Sequence, residues 1–78
     1  MLSSTIKNMI ANEMLCGEVG FLMKGSSEPA YVISDMSKCS CVELREDEGI
    51  LFICLPLSRE TSYYFIEVEA IAAINTKS

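Results

Sequence analysis

The closing stretch SYYFIEVEAIAAINTKS, residues 62–78, decides how this chain folds. Tyr63, Tyr64, Phe65, Ile66 and Val68 are too dense in aromatic and β-branched side chains for a helix. Glu67 and Glu69 interrupt the run before a second apolar burst at 70–74, so one alternating strand does not fit either. Two short strands, 62–68 and 70–74, joined at 67–69, satisfy the pattern, with Asn-Thr-Lys-Ser as a frayed tail.

Upstream, ILFICLP at 50–56 is apolar without a break and reads as a strand buried on both faces. The Asp-Glu-Gly turn before it, 47–49, overlaps ELREDE, 43–48, the densest charge run in the chain and most simply a solvated hairpin tip. Residues 30–45 contain no Gly or Pro and predict one long strand with a bend near 35–38. Residues 17–24 form a strand closed by the turn GSSEP at 25–29. Leu2, Ile6, Met9, Ile10 and Met14 recur at helical spacing, so a helix over 2–14 opens the chain, with Ser3 or Ser4 as its N-cap. One helix is thus followed by five strands at 17–24, 30–45, 50–56, 62–68 and 70–74. No helical crossover separates the strands, so the sheet is expected to be antiparallel. Five such strands close most economically into a small, strongly bent barrel.

Seventy-eight residues hold one domain, 1–78. Half of them are hydrophobic, rich for a chain that buries only a modest fraction of its surface, and this excess predicts a subunit interface. Lys7, Asn8, Asn12 and Glu13 interrupt any secretion-signal core, so Cys16, Cys39, Cys41 and Cys54 are expected as reduced thiols in a cytoplasmic protein. No apolar stretch approaches the roughly 20 residues of a membrane span. The formal charge is −5, from eleven acids against six bases, which repels phosphate in bulk.

A helix feeding a bent five-stranded antiparallel sheet resembles the Sm-like family, which includes Sm and LSm proteins and bacterial Hfq. The element YYFIEVEAIAAI looks like that family's fourth strand, tight turn and short fifth strand. The resemblance spans residues 2–74. It implies that the last two strands pair edge to edge with neighbouring subunits in a homo-oligomeric ring of five to seven members. Tyr63, Tyr64, Phe65, Ile66, Val68 and Ile71 would then form the interface. It also implies RNA binding, but the two family signatures are altered. Asp35 followed by Met36 and Ser37 stands nearest the family's base-contacting Asp and Asn, and residues 13–74 contain no Asn. The family's basic or Arg-Gly-Asp turn is replaced by Ile-Glu-Val-Glu. Acids around a pore repel RNA, which leaves Lys24 and Lys38 for phosphate, Tyr31 for stacking and Asp35 at the base-contacting position as the candidate RNA set.

Competing readings are plainer. Cys39 and Cys41 form C-x-C, and with Cys16 and Cys54 they make a tetrahedral thiolate set, yet the paired knuckles of structural zinc are missing; small buried hydrophobes, with no metal and no cofactor, are expected. Glu67 and Glu69, two residues apart, have the spacing of a carboxylate pair, but without any His or a nucleophile-elbow Ser or Cys the expectation is a non-catalytic protein. Consecutive aromatics at 63–65 must face opposite sides of a strand, so core and interface share them. The function expected is therefore an Sm-like ring associated with RNA. Two alternatives stand beside it: a scaffolding ring whose acidic surface binds a basic protein, and a monomeric SH3-like adaptor, for which the absence of Trp is unfavourable.

Overall fold

Ser3–Ala11 forms helix α1, which turns Ile6 fully into the core and leaves Lys7 and Asn8 in solvent. Leu2, in extended conformation, holds the N-cap position, and its carbonyl accepts the N–H groups of Thr5 and Ile6 at 3.1 and 3.3 Å. Ser3 and Ser4 therefore lie inside the first turn and do not cap it. The helix also stops earlier than its apolar spacing predicts. Glu13 turns left-handed at φ 54°, Glu13 N–H donates to Ile10 O at 3.1 Å, and Met14 N–H donates to Met9 O at 2.9 Å. That double closure satisfies the last helical carbonyls and ends the helix, whatever the hydrophobicity of Met14. A Cβ in this conformation costs about 1–2 kcal/mol, partly offset by the greater unfolded-state freedom of glycine. Glu13→Gly is expected to stabilise the protein by about 0.5–1 kcal/mol, a rise of a few degrees in Tm by thermal unfolding.

The computed structural model describes residues 1–77. After α1, the chain is β-rich, with two three-stranded antiparallel sheets. In the first, β1 (Glu18–Met23) lies between β2 (Tyr31–Ile33) and β6 (Ile71–Lys77). In the second, β4 (Ile50–Pro56) lies between β3 (Cys41–Arg45) and β5 (Thr61–Glu67). Tight hairpins link the strands of the second sheet, one closed by Gly49 at φ 66°, the other by Leu57 N–H on Glu60 O at 2.7 Å.

Three expectations change. The single strand over 30–45 is two strands, so six stand where five were predicted. Between them Asp35 accepts from Ser37 N–H at 3.0 Å and from Ser37 Oγ at 2.6 Å, and this local bonding winds Met36–Lys38 into a 3₁₀ turn in place of continued pairing. Asn75, Thr76 and Lys77 are not a frayed tail. They continue β6 along the whole of β1, with Glu18 opposite Lys77 and Phe21 opposite Ile74. Finally, β4 is not buried on both faces: Leu51, Ile53 and Leu55 point into the core, while Ile50, Phe52 and Cys54 are only partly covered.

One core joins all these elements. Ile6 of α1, Val19 and Phe21 of β1, Leu51 and Ile53 of β4, and Ile66 of β5 are each fully buried. Val68 and Ile71 close it from the 3₁₀ turn Val68–Ala70 and the start of β6. The Met1 amine reaches the same turn, donating to Val68 O at 3.3 Å and Ile71 O at 2.9 Å. Among the described residues, no helix is long and apolar enough to cross a membrane.

Candidate interaction surface

The outer face of the second sheet carries the most conspicuous exposed side chains. Strand register stacks them in rows: Cys41, Cys54 and Tyr63; then Glu43, Phe52 and Phe65; then Arg45, Ile50 and Glu67. Residues in one row are cross-strand neighbours on one face, close enough for their side chains to touch. Phe52 sits in the middle, 5.0 Å between ring centroids from Phe65 and 6.1 Å, nearly parallel, from Tyr63. The Arg45 guanidinium carbon lies 4.5 Å from the Phe52 centroid, a cation over an aromatic face. Tyr63 and Phe65 nevertheless remain 60% and 55% exposed, an unusual cost for a soluble surface unless something covers them. The unbroken apolar run at 50–56 was the sequence signal for this face, because alternation fails where both sides of a strand have apolar neighbours.

β5, which carries Tyr63 and Phe65, offers a bare backbone edge. Val68 N–H goes to Gly49 O at 2.9 Å and Leu57 N–H to Glu60 O at 2.7 Å, which sets the phase of the β4–β5 ladder. In an antiparallel pair both polar groups of alternate residues point the same way. Ser62, Tyr64 and Ile66 therefore bond inward to β4, and the N–H and C=O groups of Tyr63, Phe65 and Glu67 point outward. β6 is likewise an outer strand of its own sheet, as β2 and β3 are on the other sides of the two sheets. The Met1 amine takes the first carbonyl of β6, Ile71 O, at 2.9 Å; beyond it the β5 and β6 edges are joined only by Val68–Ala70.

The acids gather at one end of this face. Glu46, Asp47 and Glu48 at the β3–β4 tip share an open hollow with Glu67 and Glu69, two segments far apart in sequence. Two of the flanking charges are compensated at the surface, Glu46 by Lys7 at 3.7 Å and Glu43 by Arg45 at 3.9 Å. Glu67 ends β5 and Glu69 lies in the following turn, so they are not the same-face pair that a continuous strand would make.

The candidate RNA residues are dispersed. Lys24 follows β1 at the end beside Ala70, its N–H on Ala70 O at 2.7 Å, whereas Asp35 and Lys38 flank Met36, whose N–H bonds Gly17 O at 2.9 Å before the other end. The six residues of β1 between them span roughly 20 Å at about 3.3 Å per residue. Tyr31 is half-buried and packs edge to face on Tyr64, with centroids 6.2 Å apart. Asp35 is occupied by its own turn: the Ser37 hydroxyl and then the Ser37 N–H hold its carboxyl below the usual range. Of the six interface candidates, Ile66, Val68 and Ile71 lie in the core of their own chain, so their side chains cannot meet a neighbour. Tyr64 is half-buried, and Tyr63 and Phe65 are exposed.

All four cysteines are free, and among the described residues no three metal-binding side chains converge. Cys41 faces Cys54 across β3 and β4. Burial pushes the Cys39 thiol up, with smaller contributions from Cys54 and Asp35. Cys16 is exposed. Under limiting iodoacetamide at mildly alkaline pH, peptide mapping should show Cys16 alkylated first and Cys39 well behind it.

Comparison with family models, curated proteins and solved structures gives no match for this chain.

Proposed function

We propose that this chain is a non-catalytic, Sm-like subunit that closes into a homo-oligomeric ring of five to seven copies in the cytoplasm and acts as a protein-interaction scaffold. The observation that carries this reading is the pair of bare strand edges, β5 and β6, on either side of a three-residue turn. Two different edges on one chain favour a head-to-tail contact, and a head-to-tail contact that closes makes a ring. Such pairing also removes edges that would otherwise template aggregation. β2 and β3 then act as the two halves of one bent strand, interrupted at 34–40, which gives the five-stranded small barrel of the resemblance.

The scaffold reading is preferred to RNA binding on charge. The acids of the β3–β4 tip meet Glu67 and Glu69, while Lys24 and Lys38 stand at opposite ends of β1. Phosphate affinity needs clustered cations and falls steeply with salt in proportion to the contacts made. Native mass spectrometry, with light scattering behind a sizing column, tests the ring. A discrete species of five to seven times the 8.6 kDa chain is expected; a stable monomer would sink it in favour of the adaptor. Single-stranded RNA is expected to bind weakly or not at all at physiological salt. Tight binding abolished by Lys24→Glu or Lys38→Glu would reverse the preference.

A further inference from the structure

We propose that the outer face of the second sheet docks an extended, arginine-bearing segment of a partner protein, with Tyr63 and Phe65 receiving its guanidinium groups and the acids at the end of the face attracting its charge. The inference deepens the scaffold reading and rests on its protein partner, not on ring closure.

The face already holds one guanidinium. Arg45 lies over Phe52 at 4.5 Å, so the intramolecular contact displays the chemistry that the remaining rings offer. Tyr63 and Phe65 flank Phe52 and stay more than half exposed, which leaves two aromatic surfaces without a cation. A guanidinium stacks on such a ring through both its charge and its planar, weakly hydrated surface, an advantage over a lysine ammonium.

Charge selects the occupant. Glu43 and Glu67 stand on the face itself, and Asp47 and Glu48 lie at its end beside Glu46, which Lys7 pairs at 3.7 Å; Arg45, the one cation on the face among the described residues, is already engaged with Phe52 and Glu43. Arg59 lies in the hairpin at the opposite end, beyond the Tyr63 row. A second copy carries the same surplus of acids, and only an antiparallel arrangement that laid its Arg59 end over the tip would offset them. RNA would bring phosphate. A cationic strand brings complementary charge to one end and aliphatic stems to the apolar rows. Ring closure through the backbone edges is in the plane of the sheet, so it leaves this face open.

The test uses a fluorescein-labelled octapeptide of alternating arginine and glycine, titrated with the full chain at low and physiological salt and followed by anisotropy. Its counterparts carry citrulline or lysine at every arginine. Two charge-neutral double variants are compared, Tyr63→Ser with Phe65→Ser and Tyr63→Leu with Phe65→Leu, the second keeping apolar area but no ring. Arginine peptide binding is expected, with about tenfold weakening in the serine variant and at least threefold in the leucine variant. Lysine peptide should bind several-fold more weakly and citrulline peptide not measurably. Circular dichroism and Tm verify that both variants fold, and the leucine variant serves if the serine variant does not.

No binding of the arginine peptide overturns the proposal. So does equal binding by wild type and both variants, since the acids alone would then be responsible, and so does equal binding of the citrulline peptide. A changed native mass in the aromatic variants assigns the face to a second copy, and a labelled RNA decamer bound through the same two rings assigns it to RNA; either overturns it. A monomeric wild type that binds the arginine peptide through Tyr63 and Phe65 supports the docking face and overturns only the ring.

Discussion

Phe21→Ala is expected to lower the unfolding free energy by about 3–5 kcal/mol, measured by urea denaturation. Phe21 is fully buried in the central strand of the first sheet, between Tyr31 of β2 and Ile74 of β6 in register. It is the largest side chain in the core, and its removal leaves a void walled by rigid strand backbones that cannot collapse into it. A chain of this length has a total stability of about 4–12 kcal/mol, so the loss is a large share of the whole. Phe21→Met, which keeps much of the volume, should cost about 1.5 kcal/mol or less. Equal losses in the two variants would mean that Phe21 is not held in a packed core.

If the proposed ring forms, Glu67→Pro is expected to reduce it to single chains of 8.6 kDa in native mass spectrometry, still folded by circular dichroism. Glu67 already has φ −70°, the value a proline ring imposes, and the preceding Ile66 is extended as a residue before proline must be. Its N–H points away from β4, so the substitution removes no bond within the chain. What it removes is an outward donor, and the ring projects into the path of a neighbouring strand. Glu67→Gln separates backbone from charge, since it keeps the N–H and should leave the assembly intact. If Glu67→Pro runs at the wild-type mass, β5 is not the assembling edge.

The weakest sequence signals failed for identifiable physical reasons. The extended reading of 30–45 counted the absence of Gly and Pro but not the competition from Asp35 and Ser37, whose mutual bonds stop the strand. Helical spacing carried α1 through Met14, but the left-handed turn at Glu13 is a closure that apolar periodicity does not encode. The tail at 75–77 is polar and looks unpaired until β1 is laid beside it. At the surface, the aromatic density of 62–68 was plain, yet its division was not: Ile66 is core, and Phe65, one residue earlier, is exposed. Arg45 and Phe52 did not stand out, because their contact joins two strands.

By itself the sequence determined the order of elements, one helix and then strands, along with the hairpin at the acidic tip and the break at 67–69. These follow from local pattern, since side-chain period and turn residues act over a few positions. Tertiary structure alone decided which strand edges stay bare, which rings stay exposed, and that the tip acids meet Glu67 and Glu69 while Lys24 and Lys38 lie apart. Those outcomes depend on register between strands distant in sequence, and a shift of one residue would send every side chain of a strand to the opposite face.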